Sequence, residues 1–383
     1  MPSAELPLIA RPGTRVPLTD LLAEADRQMT VCNACRYCEG YCAVFPAMEL
    51  RREFKADDLI YLANLCFDCR ACYYACPYTP PHEYAVNVPQ IMAAVREEMY
   101  REHAAPKILV RLFMESRKLA ALAVVAVVSL VFALVLGTQG TAAVFGGAGG
   151  ADFFSVVPYW GMVLPAMALS GYGVAVLVAG GVRFWRDTGG TLRQMLDLRA
   201  FLRATKDALG LVYLSGGGDG CFYPDELPSM SRRWFHHLVF YGFMLDFAST
   251  SVAAFYHHIL DRISPYPLLS LPVVLGTVGG VMLVIGTAGL LVLKWRADRT
   301  PAHPSMLDLD VVFIGLLFAT ATTGLLLLAM RETAAMGVLL VVHLGVVAAL
   351  FVTLPLGKFA HVVYRYAALV KNQVEIASTK HAG

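Results

Sequence analysis

The sequence predicts an all-α protein, with a helical cysteine-rich segment followed by a six-helix transmembrane bundle. Three observations lead there. The chain is 57% hydrophobic with only 16% charged residues, whereas soluble domains carry about a quarter, and its mean hydropathy is +0.58. The deficit is local, because beyond Lys118 the chain becomes a series of long uncharged runs. Eight of the nine cysteines crowd into residues 32–76, ahead of those runs.

Residues 1–117 form the expected first domain. Its opening, MPSAELPLIARPGTRVPLTD, has prolines and an early acid where an apolar export core would lie. No targeting segment is expected, and the cysteines are read as metal ligands rather than disulfide partners. Helices are predicted over ELRREFKADDLIYLANL (49–65) and VPQIMAAVREEMYREH (88–103). Residues 118–361 form the expected membrane domain. A bilayer core of about 30 Å needs roughly 20 apolar residues per helix. Six segments qualify: Leu119 to Gly137, Pro158 to Val182, Leu238 to Tyr256, Leu269 to Leu293, Val311 to Met330 and Ala334 to Gly357. Only the third holds a formal charge, Asp246. Buried helices of a soluble protein, averaging 11–12 residues, do not account for six such lengths.

Six spans put both termini on one side, with the loops around 183–233 and 294–306 and a tail over 362–383. Lys and Arg on that side number 14, 8, 3 and, counted from Lys358 to the end, 4 in chain order, against only Arg262 and Arg331 opposite. The positive-inside rule therefore predicts an inner, cytoplasmic membrane protein whose termini and cysteine segment face the cytoplasm.

The cysteines fall in two runs, Cys32, Cys35, Cys38, Cys42 and Cys66, Cys69, Cys72, Cys76. Each reads C-x2-C-x2-C-x3-C, the run of bacterial ferredoxins in which the fourth cysteine serves the other cluster. Three thiolates two residues apart wrap one face of a cubane, and the displaced fourth points away. This predicts two 4Fe-4S clusters in an α-helical two-cluster ferredoxin domain, one on Cys32, Cys35, Cys38 and Cys76, the other on Cys66, Cys69, Cys72 and Cys42. Pro77 follows the second run; Ala43 stands in that place after the first. Paired C-x2-C motifs also build zinc sites, but two duplicated four-cysteine runs suit cubanes better. Cys221 is read as a structural thiol.

Imidazole is a common axial ligand of haem iron, and an ionisable side chain inside a span is costly enough to suggest function. His343 lies in the sixth span and His361 just past its end. Eighteen residues are five turns of one α-helix, so both are expected on one face, at opposite sides of the bilayer, as ligands of one or two b-type haems. Partners are expected from the third span, where His236 and His237 flank one end and His257 and His258 the other. The first doublet is expected to face His361 and the second His343, with the ligating member of each left open. The alternative is that these doublets only sit in the headgroup layer. His82, His103, His303 and His381 are read as solvated or loop residues. Asp246 is read as a proton relay near a quinone, as part of a haem environment, or as a hydrogen-bonded structural acid beside Ser249 and Thr250. The glycine-rich YLSGGGDGCFYP (213–224) follows no strand, so it is no nucleotide fingerprint. It is expected to turn tightly beneath the cysteine domain, with contact to a cluster or quinone as the alternative. No nucleophile–base pair or phosphate loop stands out, so no catalytic residue is assigned.

The runs CNACRYCEGYC and CFDCRACYYACP, the span RRWFHHLVFYGFMLDFASTSVAAFYHH and the glycine loop together resemble the citrate/tricarballylate utilisation protein B family over nearly the whole chain. HLGVVAALFVTLPLGKFAH is locally similar to the haem-bearing helix of nitrate reductase gamma and heterodisulfide reductase membrane subunits. The family resemblance implies a membrane partner that reoxidises the flavin of a soluble FAD-dependent tricarballylate dehydrogenase. Electrons would then pass through the clusters and haem to membrane quinone. Relatives fused to a flavoprotein of cobalamin synthesis share the module, which leaves the substrate open. Two other readings are a quinol-oxidising anchor of a thiol or disulfide reductase, and an iron–sulfur redox sensor that would need no haem ligands. Neither nucleic-acid binding nor a dehydrogenase site of the chain's own is expected.

Overall fold

The computed structural model describes residues 15–114, 116–146 and 152–382. Residues 1–14 of the expected first domain and Gly383 of the tail lie outside the described residues. The cysteine segment holds α1 (Leu18–Cys35), α2 (Val44–Glu49), α3 (Ala56–Leu65), α4 (Ala71–Tyr74) and α5 (Val88–His103). Helix α5 has the predicted bounds, with Asn87 accepting the Gln90 N–H at its start and Pro89 in its first turn. The helix expected over 49–65 begins only at Ala56. Lys55 is extended there and its N–H donates to Asp58 Oδ2 at 3.3 Å, which caps α3. Such a cap satisfies one of the donors a helix start leaves unpaired.

A connecting helix, α6 (Lys107–Met114), leads into the long α7 (Arg117–Phe145), then α8 (Phe153–Val156) and α9 (Tyr159–Asp187). Short α10 (Leu192–Met195) and α11 (Leu198–Leu209) precede the glycine loop, which closes on a two-residue antiparallel ribbon, β1 (Cys221–Phe222) with β2 (Pro228–Ser229). Then come α12 (Ser231–Ile259), α13 (Leu271–Arg296), α14 (Pro304–Ala329), α15 (Met336–Thr353) and α16 (Ala360–Ala382). Among the described residues six stretches are long and apolar enough to cross a membrane: Lys118–Phe145, Tyr159–Asp187, Ser231–Ile259, Leu271–Arg296, Asp310–Ala329 and Met336–Thr353. The first runs past the predicted Gly137, with Gly140 leaving helical geometry at φ +82. Many large apolar side chains on these helices, among them Leu122, Leu134, Met167, Val178 and Phe247, are exposed, as suits faces solvated by lipid.

The last span departs from expectation in a way that matters. His343 and His361 do not share one helix: α15 stops at Thr353 and α16 starts at Ala360. Pro355 cannot donate to the ladder and its ring clashes with the preceding turn, so the chain bends there. Helix α16 then returns into the cysteine segment. Arg51 Nη2 pairs with Glu375 Oε1 at 2.6 Å, and the rings of Tyr100 and Tyr364 stack at 4.9 Å. At the bend, Lys294 Nζ donates to Asp310 Oδ2 at 2.5 Å and Lys358 Nζ lies 2.9 Å from Oδ1. Two histidines read as solvated are also engaged. His103 bonds the Met99 carbonyl and lies 3.1 Å from Asp187, while His303 lies 3.2 Å from Glu97. The side chain of His381 lies outside the described residues.

Helix α11 carries exposed Leu198, Leu202 and Leu209 on one strip, with Arg199, Arg203 and Lys206 beside it. That pattern suits a helix lying in the headgroup layer. Helices α12 and α13 meet backbone to backbone. A Cβ at Gly279 would stand 2.8 Å from the Gly242 carbonyl oxygen and also strike Asp246. Small residues allow this approach between membrane helices. Gly279→Leu should therefore destabilise the bundle by about 1–3 kcal/mol through overpacking, read as a lower unfolding temperature in detergent. An unchanged transition would mean that the two helices do not meet there.

Candidate redox site

Both cysteine runs make the same turn. Cys32 and Cys35 end α1 and Arg36 follows at φ 58; Cys66 and Cys69 follow α3 and Arg70 follows at φ 65. The turn throws the third cysteine back beside the first two. Burial above all, then the charges of Cys76, Cys38 and Cys35, pushes the Cys32 thiol up to about 12. Cys42 is raised to about 12 by burial and then by Cys66, while the Val44 and Phe45 N–H groups oppose the shift. Cys69 and Cys72 are held well above the ordinary thiol value by burial and by each other's neighbours, Cys42 and Cys66 among them. Cys32, Cys35, Cys38 and Cys76 thus act on one another, as do Cys42, Cys66, Cys69 and Cys72, and Cys38 acts on Cys42 and Cys72 as well. Such values favour the protonated form in the free protein and are reversed by a cation that binds thiolate. Backbone N–H groups already face the sulfurs, the Tyr78 N–H reaching Cys76 Sγ at 3.4 Å. Among the described residues no three His, Cys, Asp or Glu side chains close on the tight radius of a single metal ion.

The second group is fastened to the membrane helices. The Phe222 N–H donates to the Cys69 carbonyl at 2.9 Å, Arg232 donates to the Asp68 carbonyl, and Arg70 donates to the Asp298 carbonyl at 2.9 Å. Tyr223 lies between two guanidiniums, 4.4 Å from Arg70 and 5.1 Å from Arg232. The glycine loop makes this possible: Gly216 and Gly220 adopt φ +54 and +119, and Cβ atoms there would strike backbone. It lies against both runs, since a Cβ at Gly217 would be 3.4 Å from Tyr41. Cys221 is fully buried and donates to the Leu214 carbonyl.

His236 and His361 face one another, their ring centres 6.2 Å apart and their planes at 89°. Two imidazoles binding one metal from opposite sides, each through a bond of about 2 Å, put their ring centres roughly 6 Å apart. His361 Nδ1 is bonded to the Lys358 carbonyl, so Nε2 carries the lone pair. Burial first, then the charges of Arg365 and Lys358, holds His361 well below its ordinary range, and the ring is neutral. His236 Nδ1 is shielded from solvent without a hydrogen-bond partner. His237 turns elsewhere, towards Trp234 and Tyr241 at 6.2 and 5.8 Å.

The outer histidines are arranged differently. His257 stacks on Tyr159 at 4.1 Å, and His258 Nε2 bonds the Tyr159 hydroxyl at 2.6 Å. His343 Nδ1 lies 2.9 Å from Thr323 Oγ1, whose own proton goes to the Ala319 carbonyl at 2.7 Å. The expected meeting of His343 with this doublet is not among these contacts. Asp246 Oδ1 has no hydrogen-bond partner, and Ser249 and Thr250 bond backbone carbonyls instead.

Sequence reasoning missed two arginines. Arg232 stands four residues before His236, and Arg365 four residues after His361. Each is one helical turn away on the side of the cysteine segment, because α12 runs away from that segment and α16 runs back into it. The i±4 spacing was the available signal. Arg365 is buried, 4.7 Å from the ring of Phe67, between Cys66 and Cys69.

Eight thiols in two such groups, set on six membrane-length helices, define an iron–sulfur membrane protein of the electron-transfer kind. Residues 113–382 match the family described as Citrate utilization protein B, and residues 25–104 match the Citrate utilization protein B Fer4-like domain. The chain is 45% identical over 367 residues to Citrate utilization protein B of Escherichia coli, covering 96% of each chain. It belongs to the citrate utilization protein B family. No solved structure matches it.

Arg96 Nη1 donates to the carbonyls of Ala63 and Cys66, at 2.6 and 2.9 Å. Arg96→Ala leaves both buried acceptors unpaired and should cost about 2–4 kcal/mol. The expected result is faster trypsin cleavage within residues 50–104 in the intact protein. Cleavage at the wild-type rate would deny these bonds a structural role.

Proposed function

We propose that this protein is a multi-pass subunit of the cytoplasmic membrane that reoxidises a soluble FAD-dependent dehydrogenase of citrate or tricarballylate utilisation and delivers the electrons to membrane quinone. Its cysteine segment and termini face the cytoplasm, in line with the basic residues on that side. Cys32, Cys35, Cys38 and Cys76 would hold one 4Fe-4S cluster, and Cys66, Cys69, Cys72 and Cys42 the other. The grouping of the thiols and the N–H groups facing the sulfurs support this. His236 and His361 would hold one b-type haem. When bound, these groups supply one-electron carriers in a chain that no side chain could provide.

The observation that carries the reading is the His236–His361 pair at 6.2 Å, next to the helix ends that grip the second cysteine run. Its fit to haem rests on chemistry already present. The neutral His361 ring presents Nε2, and shielded nitrogens on His236, Arg233 and Arg365 lack hydrogen-bond partners. The outer histidines offer no comparable fit, since Tyr159 engages His257 and His258, and no step is assigned to them.

A dithionite-reduced minus oxidised spectrum, with pyridine haemochrome quantification, should give one b-type haem per chain. His361→Ala should abolish or severely shift that signal, while an unaltered spectrum would defeat the pairing. A protein with intact iron–sulfur absorbance and no haem would point to the sensor. Cys38→Ser should lose one cluster by iron analysis and EPR while partly sparing the other. Retention of both would overturn the ligand grouping.

A further inference from the structure

Resting on that reading, we propose that the two cysteine groups act in series, with Cys32/Cys35/Cys38/Cys76 as the electron entrance and Cys66/Cys69/Cys72/Cys42 as the inner station, and that Arg365 is the positioning residue whose charge the inner station and the His236–His361 pair share. The two groups differ first in access. Cys35 is exposed and Tyr37 beside it is 65% exposed, whereas Cys66 and Cys69 are each only 7% exposed. Cys42 and Cys72 are half-buried, as are Cys32, Cys38 and Cys76, so the exposed Cys35 makes the first group the more accessible to a soluble donor. The second is the one bonded to the start of span helix α12, through Arg232, and to the ribbon before it, through Phe222.

They differ also in charge. Four guanidiniums attend the inner group: Arg70 within the run, Arg96 on the Cys66 carbonyl, Arg232 on the Asp68 carbonyl and Arg365 against Phe67. Three of them bond backbone carbonyls, which leaves their charge in place. The nearby carboxylates are Asp68, 3.9 Å from Arg70, and Asp298, which also feels the Arg70 charge, and no carboxylate pairs with Arg365 among the described residues. Burial, then the neighbouring Arg96, lowers Arg365 from the usual guanidinium range, and a guanidinium stays a cation at neutral pH. Fixed positive charge in a shielded site stabilises the state with an extra electron. The inner station is thus the better acceptor, and electrons run inward from the entrance. Arg365 extends this bias to His361, one turn back on α16. A reduced flavin gives up two electrons singly and releases its protons to water; a quinone takes up two electrons and two protons.

The test is a redox titration of the purified full-length protein loaded with iron, sulfide and haem, following the clusters by EPR and the haem by its visible band. Cys35→Ser and Cys69→Ser assign the two EPR signals. In the wild type the inner signal should titrate at a higher potential than the entrance signal; the reverse order overturns the proposal. Arg365→Gln should shift the inner cluster and the haem to lower potential and leave the entrance cluster unmoved, and Arg365→Lys should restore both. A shift of the entrance signal, or no shift in either neighbour with haem bound, overturns the role of Arg365 and leaves the functional reading intact. Absence of haem in the wild type defeats the functional reading instead, while the order of the two clusters is still decided. If Arg365→Gln fails to fold, the wild-type order and the Arg365→Lys protein carry the test.

Discussion

The arrangement depends on how the second cysteine run is held. Its loop is gripped by backbone hydrogen bonds: Phe222 donates to the Cys69 carbonyl, Arg232 to the Asp68 carbonyl, and Arg70 reaches out to the Asp298 carbonyl. Main-chain carbonyls are good anchors here because they do not titrate and their direction follows the loop. Losing one such bond leaves a buried acceptor unpaired, which costs more than the bond itself contributes. The ribbon, the glycine loop, the start of α12 and the end of α13 therefore move with the cysteines. Other ties join the cysteine segment to the spans at α5, where His103 meets Asp187 and Asn87 and Gln90 donate to the Thr300 and Ala302 carbonyls.

Helix α16 supplies a further tie, and the bend at Pro355 makes it possible. An unbroken helix from Met336 would have fixed His361 and Arg365 by the rotation of the span itself. The interruption instead lets α16 start afresh at Ala360 and pack on the cysteine segment, where Glu375 meets Arg51 and Tyr364 meets Tyr100. Bending frees backbone groups, and Thr353 and Lys358 take up part of the loss: the Leu356 and Gly357 N–H groups both reach the Thr353 carbonyl at 2.9 Å, and the Lys358 carbonyl bonds His361. The same bend fixes the imidazole that faces His236. Architecture and site follow from one residue that cannot continue a helix.

The outline was legible in the sequence because its signals are strong and local. Six apolar runs read directly as spans, and the cysteine spacing as a ferredoxin run. Helix α5 was legible to the residue because Asn87 and Pro89 mark its start. The failures have physical causes. The helix expected from Glu49 was drawn out by helix-favouring residues, but Asp58 caps at Lys55 and Arg51 is turned to serve Asp58 and Glu375. His343 and His361 were placed on one face by counting turns through a proline, where counting fails. His236 could not be told from His237 because neighbours on a helix point about 100° apart, and only packing chooses between them. Arg232 and Arg365 went unnoticed because an arginine at a span's end has an ordinary role in orientation. The long-range contacts that give them another belong to the fold.

The chain buries charge in two ways, and the contrast bears on function. At the bend, Asp310 sits between Lys294 and Lys358, opposite charges held in direct contact. A buried ion is costly unless paired, so that arrangement is sufficiently explained by structure. Around the inner cysteines the arginines are placed differently, against carbonyls and aromatic rings, with Arg365 over Phe67 and both Arg70 and Arg232 over Tyr223. These contacts give packing and some hydrogen bonds, but they leave Arg70 Nε and Arg365 Nε unpartnered, and only Arg70 has a carboxylate, Asp68, at 3.9 Å. A fold selected only for stability would gain by neutralising or replacing such groups. Uncompensated cations are favourable where the site between them acquires negative charge, and two thiolate-bound clusters accepting electrons would supply it.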